Sequence, residues 1–198
     1  MTDRPDLVAL LGSRICHDLI SPIGAIGNGV ELLMLEGQQP GPEISLIADS
    51  AASANARLRF FRIGFGASGA EQRLGRAEIL GLLADLTRGG RIGIGWTSPA
   101  DLPRREARLA FLLIMCLETA MSYGGAITVE RGETGWQILG RAPRLRIDPD
   151  LWELLSNPAA PYDLTAAQVH FALVHEALTR HGRSLLIDIR ESEIRLEF

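Results

Sequence analysis

Apolar residues in the first third of the chain follow a helical rhythm. Val8, Leu11, Ile15, Leu19, Pro22, Ile26, Val30 and Leu33 recur at steps of three and four, which predicts an amphipathic helix. "EGQQPGPE" then interrupts the pattern with proline and glycine that cannot continue it. Ile44, Ile47, Ala51, Ala54, Leu58, Phe61 and Phe65 alternate steps of three and four without error, a heptad seam on a second helix. Two such helices joined by a short loop make an antiparallel hairpin, which buries only one stripe on each. Pairing two hairpins into a four-helix bundle closes the core, so the pattern predicts a homodimer.

"GASGAE" is small and poor in hydrophobes, and the pattern changes beyond it. We therefore divide the chain into a helical hairpin, residues 1–66, and a mixed unit, residues 67–198. In the second unit "RAEILGLLADLT" reads as a helix and "RIGIGWT" as a short strand. "RREARLAFLLIMCLETAMSY" is apolar nearly all round, which predicts a buried helix. "AITVERGETGWQILGRA" reads as a hairpin turning at "RGETG". A short helix at "PDLWELLS" and a longer one in "TAAQVHFALVHEALTRHG" follow, the latter stopped by Gly182. "SLLIDIR" and "EIRLEF" complete an expected set of antiparallel strands. The predicted class is α+β: a helical hairpin, then an α/β sandwich with helices on one sheet face.

Composition narrows the function. A formal charge of -4 argues against a general nucleic-acid binder. No apolar run is long enough to span a bilayer, and "MTDRPDLVALLGS" lacks a secretory design, so no membrane partner and a cytoplasmic location are expected. Cys16 and Cys116 form no CxxC pair and fall among apolar neighbours, as small buried side chains do. Trp96, Trp136 and Trp152 have no basic strip beside them and read as core or interface packing. His170 and His175 are five apart, about 140° round a helix, a poor arrangement for one metal. His170, His175 and His181 are therefore given structural or surface roles, and no metal site is expected.

His17 is different. At about 100° per residue, it shares a face of the first helix with Ser13, Arg14, Ser21, Gly24 and Asn28, while Val8, Ile15 and Ile26 fall roughly opposite. It thus points away from the apolar seam, above short side chains that a partner can approach closely. Asp18, next along the chain, can hold the imidazole or favour its protonated form. Pro22 removes a backbone donor one turn later and predicts a bend.

"HDLISP" resembles the phosphoacceptor box of dimeric two-component histidine kinases. The longer stretch "CHDLISPIGAIGNGVELL" is more closely similar to ChpT-type histidine phosphotransferases of alphaproteobacteria, and the likeness extends over essentially the whole chain. It implies a dimeric bundle followed by a degenerate, Bergerat-like ATPase domain that lacks the nucleotide site. It also implies a cytoplasmic phosphorelay role: His17 would carry a phosphoryl group between response-regulator receiver domains, including a hybrid-kinase receiver, and the family suggests cell-cycle control. His17 and Asp18 would be catalytic. Arg14, Ser21, Gly24 and Asn28 would meet the receiver or the phosphoryl group, with Arg57 and Arg59 as weaker docking candidates. Mg²⁺ and a lysine would come from the receiver, so no cofactor is expected on this chain.

The second unit departs from a kinase where the resemblance makes nucleotide binding testable. Aligned on "LLIMCLETAMSYGG", the metal-binding asparagine falls on Thr119 and the earlier one on Met115. A thioether does not ligate a hard cation and a neutral threonine is a poor substitute. No DxGxG stretch follows, and "APYDLTAAQ" stands in place of the glycine-rich loop that would cradle phosphates. An ATP-dependent kinase is thereby the weakest reading; a dimeric adaptor that binds receivers without transfer is the other rival.

Overall fold

The computed structural model describes residues 14, 15, 18, 19, 21–26, 28, 29, 32, 42–66, 72–157, 159–180 and 182–198. His17, Cys16, His181 and both connecting stretches, 33–41 and 67–71, lie outside the described residues. The described residues between 14 and 32 are helical and form α1. Then follow α2 (Pro42–Gly64), β1 (Arg73–Gly75), α3 (Arg76–Thr87), β2 (Ile92–Thr97), β3 (Asp101–Pro103), α4 (Arg104–Ala120), β4 (Gly125–Arg131), β5 (Trp136–Arg141), α5 (Pro149–Glu153), a 3-10 turn (Ala166–Gln168), α6 (Val169–Arg180), β6 (Leu186–Ile189) and β7 (Glu193–Glu197). No helix among the described residues is long and apolar enough to cross a membrane.

The main sheet runs β2-β4-β5-β7-β6. Ile127 and Val129 of β4, Trp136 and Ile138 of β5, and Ile194 and Leu196 of β7 are buried, whereas their alternating neighbours are not. This period of two puts the helices on one face, as the strand patterns predicted. The expected antiparallel arrangement holds for β4–β5, β5–β7 and β6–β7. It fails at β2, which pairs parallel with β4 from Ile92↔Gly125 to Thr97↔Glu130. Parallel neighbours need a crossover, and α4 supplies it. A second pairing, β1 with β3, was not legible because each strand is only three residues long.

Helix α4 is the core of the molecule: Leu109 to Leu117 are all buried, between the sheet, α6 and α2. The end of α2 enters the same core. Phe60 stacks on Phe111 at 4.9 Å, and Phe111 meets Trp96 edge-on at 5.8 Å. Trp96 meets Trp136 at 5.4 Å, which stacks on Phe198 at 5.7 Å. The tryptophans are thus packing residues; Trp152 likewise lies buried against Phe171. Phe61 requires a correction. The heptad rhythm assigns it to a dimer seam, but it is buried within its own chain beside Phe60 and Phe65. The reason is that the last turns of α2 pack against α4 in the core of the mixed unit. Two arginines of α4 receive its end: Arg104 Nη2 donates to the Arg62 carbonyl at 2.7 Å, and Arg108 Nε to that of Gly64 at 3.0 Å. Cations at these last carbonyls satisfy orphan acceptors and suit the helix dipole.

The turn from α4 into β4 depends on Gly125, whose φ is +149° and whose missing Cβ would stand 2.1 Å from the Arg141 carbonyl oxygen. Backbone cannot retreat from that contact without breaking the β4–β5 register. We expect Gly125→Ala to lower stability by about 2–4 kcal/mol, from strain and overpacking together. Urea unfolding would check it; a loss within about 0.5 kcal/mol, the usual surface range, would contradict the reading.

Candidate functional site

The described residues of α1 carry most of the face that the helical wheel assigned to function. Ser21, Gly24 and Asn28 are exposed, and a side chain built at Gly24 would touch nothing within 4 Å. The opposite face packs: Ile15 lies against the core, and Gly29 is buried so close to α2 that a Cβ there would come within 2.5 Å of Ile47 Cγ1. Ile15 also lines a shallow apolar groove with Leu58, Phe61 and Phe65, edged by Arg59 and Arg62.

Arg14 and Asp18 lie beside one another. Arg14 Nε is 2.8 Å from Asp18 Oδ2, an ion contact whose N–H direction is not that of an aligned hydrogen bond. The Arg14 guanidinium also reaches across the molecule, where Nη1 donates to the Ala167 carbonyl at 2.7 Å. Spacing along α1 gave no sign of this contact, since its partner is 153 residues away. Arg57 is similarly engaged, paired with Glu118 at 3.3 Å and lying over the Phe60 and Phe61 rings. Arg59 is more exposed and stands 3.7 Å from Asp85. Of the two arginines considered for docking on α2, Arg59 therefore has the freer head.

In the second unit, the positions compared with nucleotide ligands face the protein's own side chains. Met115 is buried; the Thr119 hydroxyl donates to the Met115 carbonyl at 3.0 Å and lies 3.2 Å from His170 Nε2. His170 has no exposed surface and packs on Phe171. Burial, with the nearby Arg14 charge adding to it, pushes its pKa down to about 3 against the opposing Met115 carbonyl. The ring is therefore neutral at physiological pH. His175 lies on α6 near the Thr179 hydroxyl. Cys116 is buried, and burial raises its thiol well above the ordinary range, so it does not act as a thiolate. No cluster of metal-ligating side chains occurs among the described residues.

The segment standing where a glycine-rich lid would lie is a hydrogen-bonded scaffold. Asp148 caps α5 by accepting from the Leu151 amide at 3.3 Å. Its other oxygen accepts from the Tyr162 hydroxyl at 2.8 Å, and Tyr162 accepts in turn from Gln168 Nε2 at 3.0 Å. Gln168 Oε1 receives the Thr165 amide and hydroxyl at 3.1 and 2.7 Å. These side chains fix one local path for residues 162–168, ending beside the carbonyl that Arg14 grips.

Residues 76–193 match the family model described as the histidine phosphotransferase C-terminal domain. With that match across most of the chain, the protein belongs to the histidine phosphotransferase family and is a phosphotransferase. It is 36% identical over 177 residues to the protein phosphotransferase ChpT of Brucella abortus (strain 2308), covering 85% of this chain and 84% of the relative. A solved structure described as a bacterial phosphotransferase superposes with a TM-score of 0.82 at 31% identity, covering 100% of this chain and 97% of the other.

Proposed function

We propose that this chain relays phosphoryl groups between the receiver domains of response regulators, through His17. A neutral imidazole nitrogen attacks the phosphorus of a receiver aspartyl phosphate. A P–N bond forms, the P–O bond to the aspartate breaks, and the carboxylate leaves with the electron pair. A second receiver reverses the step. Little covalent chemistry is required of the protein, which must align the groups and accommodate charge. Receiver-bound Mg²⁺ and lysine would meet that charge, so the chain needs no cofactor of its own. Asp18 would orient or polarise His17, while exposed Ser21, Gly24 and Asn28 would leave room for the receiver.

The observation that carries this reading is the exposed strip of short side chains on α1 in a chain of this family. Mixing the protein with a ³²P-labelled phospho-receiver tests it. Label should pass to this chain as an acid-labile, base-stable adduct and then to a second receiver. A chain that binds the receiver but never becomes labelled would make it the non-catalytic adaptor.

The active form in this proposal is a cytoplasmic homodimer built on α1 and α2. Ile23, Leu32, Ile44, Leu46 and Leu58, all on these helices, are between 42% and 57% exposed in the single chain. A second hairpin would cover such a surface. Ile44→Asp should give a monomer by sedimentation, because it places an unpaired charge on the bundle seam without disturbing the chain's own core. A wild-type protein that is already monomeric at micromolar concentration would contradict the bundle.

A further inference from the structure

We infer that Arg14 is a positioning residue for phosphoryl transfer, tying α1 to the scaffold that occupies the place of the nucleotide lid. This inference rests on the relay reading above. Arg14 lies three residues before His17 in the sequence, and its side chain is only 16% exposed. One edge of the guanidinium meets the carboxylate of Asp18, the residue after His17; another donates to Ala167. A planar, permanently charged fork can donate to a carbonyl from one edge while another edge stays against a carboxylate, whereas an ammonium on a flexible stem does not keep both partners in register.

The Ala167 end is braced. Asp148, Tyr162, Gln168 and Thr165 form the hydrogen-bonded path that leads to this carbonyl. Ala167 lies in the 3-10 turn that leads into α6, which packs along α4. The geometry therefore ties α1, and the carboxylate of the residue that follows His17 in the sequence, to the second unit. His170 permits the arrangement: the neutral ring brings no positive charge against Arg14. The second unit thereby has a task in the relay, which is to hold the phosphoacceptor helix in one orientation toward an incoming receiver.

Transfer is sensitive to such alignment, because a displacement of about 1 Å away from the reacting groups can cost on the order of 10²-fold in rate. The test is rapid-quench transfer from a labelled phospho-receiver to the full-length protein, resolving kcat from KM. We expect Arg14→Ala to lower kcat by about 10–100-fold, with KM for the receiver held within threefold and little change in melting temperature. Arg14→Lys should not restore the rate. Tyr162→Phe, which removes the hydroxyl linking Asp148 to Gln168, should lower kcat in the same direction but less. Its effect should shrink when combined with Arg14→Ala, since both act through one path.

An Arg14→Ala protein with unchanged kcat would overturn the inference. So would a loss carried by KM and rescued by lysine, which would make Arg14 a docking charge. Full additivity with Tyr162→Phe would also overturn it. Should Arg14→Ala fail to fold, Tyr162→Phe alone decides: unchanged kcat sinks the proposal. Wild-type and His17→Gln controls separate this from the relay reading, which fails only if the wild type accepts no label or His17→Gln accepts it.

Discussion

His17→Gln is expected to abolish phosphate acceptance while leaving receiver affinity within a few fold. Glutamine keeps a polar side chain of comparable reach but has no nucleophilic ring nitrogen, so docking and chemistry separate. Asp18→Asn should slow transfer without stopping it, because it keeps the size and removes the charge. Acid–base and positioning effects of this kind are worth roughly 10²–10⁴-fold. The docked receiver supplies much of the alignment here, so a loss at about 10²-fold or below is expected. The contact of Asp18 with Arg14 gives a reason for the partial effect: an asparagine of the same size keeps the side chain in place against the guanidinium while the ion pair is lost. Label on His17→Gln would place the phosphoryl site elsewhere in the chain and end the assignment to this helix.

Phe60→Ala should cost about 3–5 kcal/mol, the range for deleting a buried aromatic ring. Phe60 has no exposed surface, is stacked on Phe111, and begins the aromatic line that crosses the core to Phe198. Removing it leaves a void between α2 and α4 that neither helix can close without lifting the caps at Arg104 and Arg108. Because this core is shared, chemical denaturation of the wild type should show the end of α2 and the sheet melting in one transition. Phe60→Leu, smaller and still apolar, should lose about half as much or less. A loss under about 1 kcal/mol for alanine, or a sheet that melts independently of α2, would show that the junction is not the structural centre proposed here.

The elements of the second unit were legible because their signals are local. Alternation along β4, β5 and β7 reports one buried face, and an all-round apolar α4 reports a helix buried on every side. Gly182, with φ +59°, ends the α6 region where the sequence places the stop. The parallel pairing of β2 was not legible, since strand direction depends on the route of the crossover and not on the strand's own residues. Phe61 was misassigned for a related reason: a heptad rhythm shows which side of a helix is apolar, but not which molecule or domain covers it.

The functional face divides in the same way. Sequence by itself determined the likeness to a phosphotransfer helix, the order of His17, Asp18 and Ser21, and the presence of Met115 and Thr119 where the resembling kinases carry asparagines. Those are properties of residue type and helical spacing, fixed before any tertiary contact forms. Only the tertiary structure decided that Thr119 lies against a buried His170, and that residues 162–168 form a braced path. Only it brought Ala167 within reach of Arg14. The Arg14–Ala167 contact joins segments 153 residues apart, and the Thr119–His170 contact follows from packing α6 on α4; no local pattern in either segment encodes the distance between such partners.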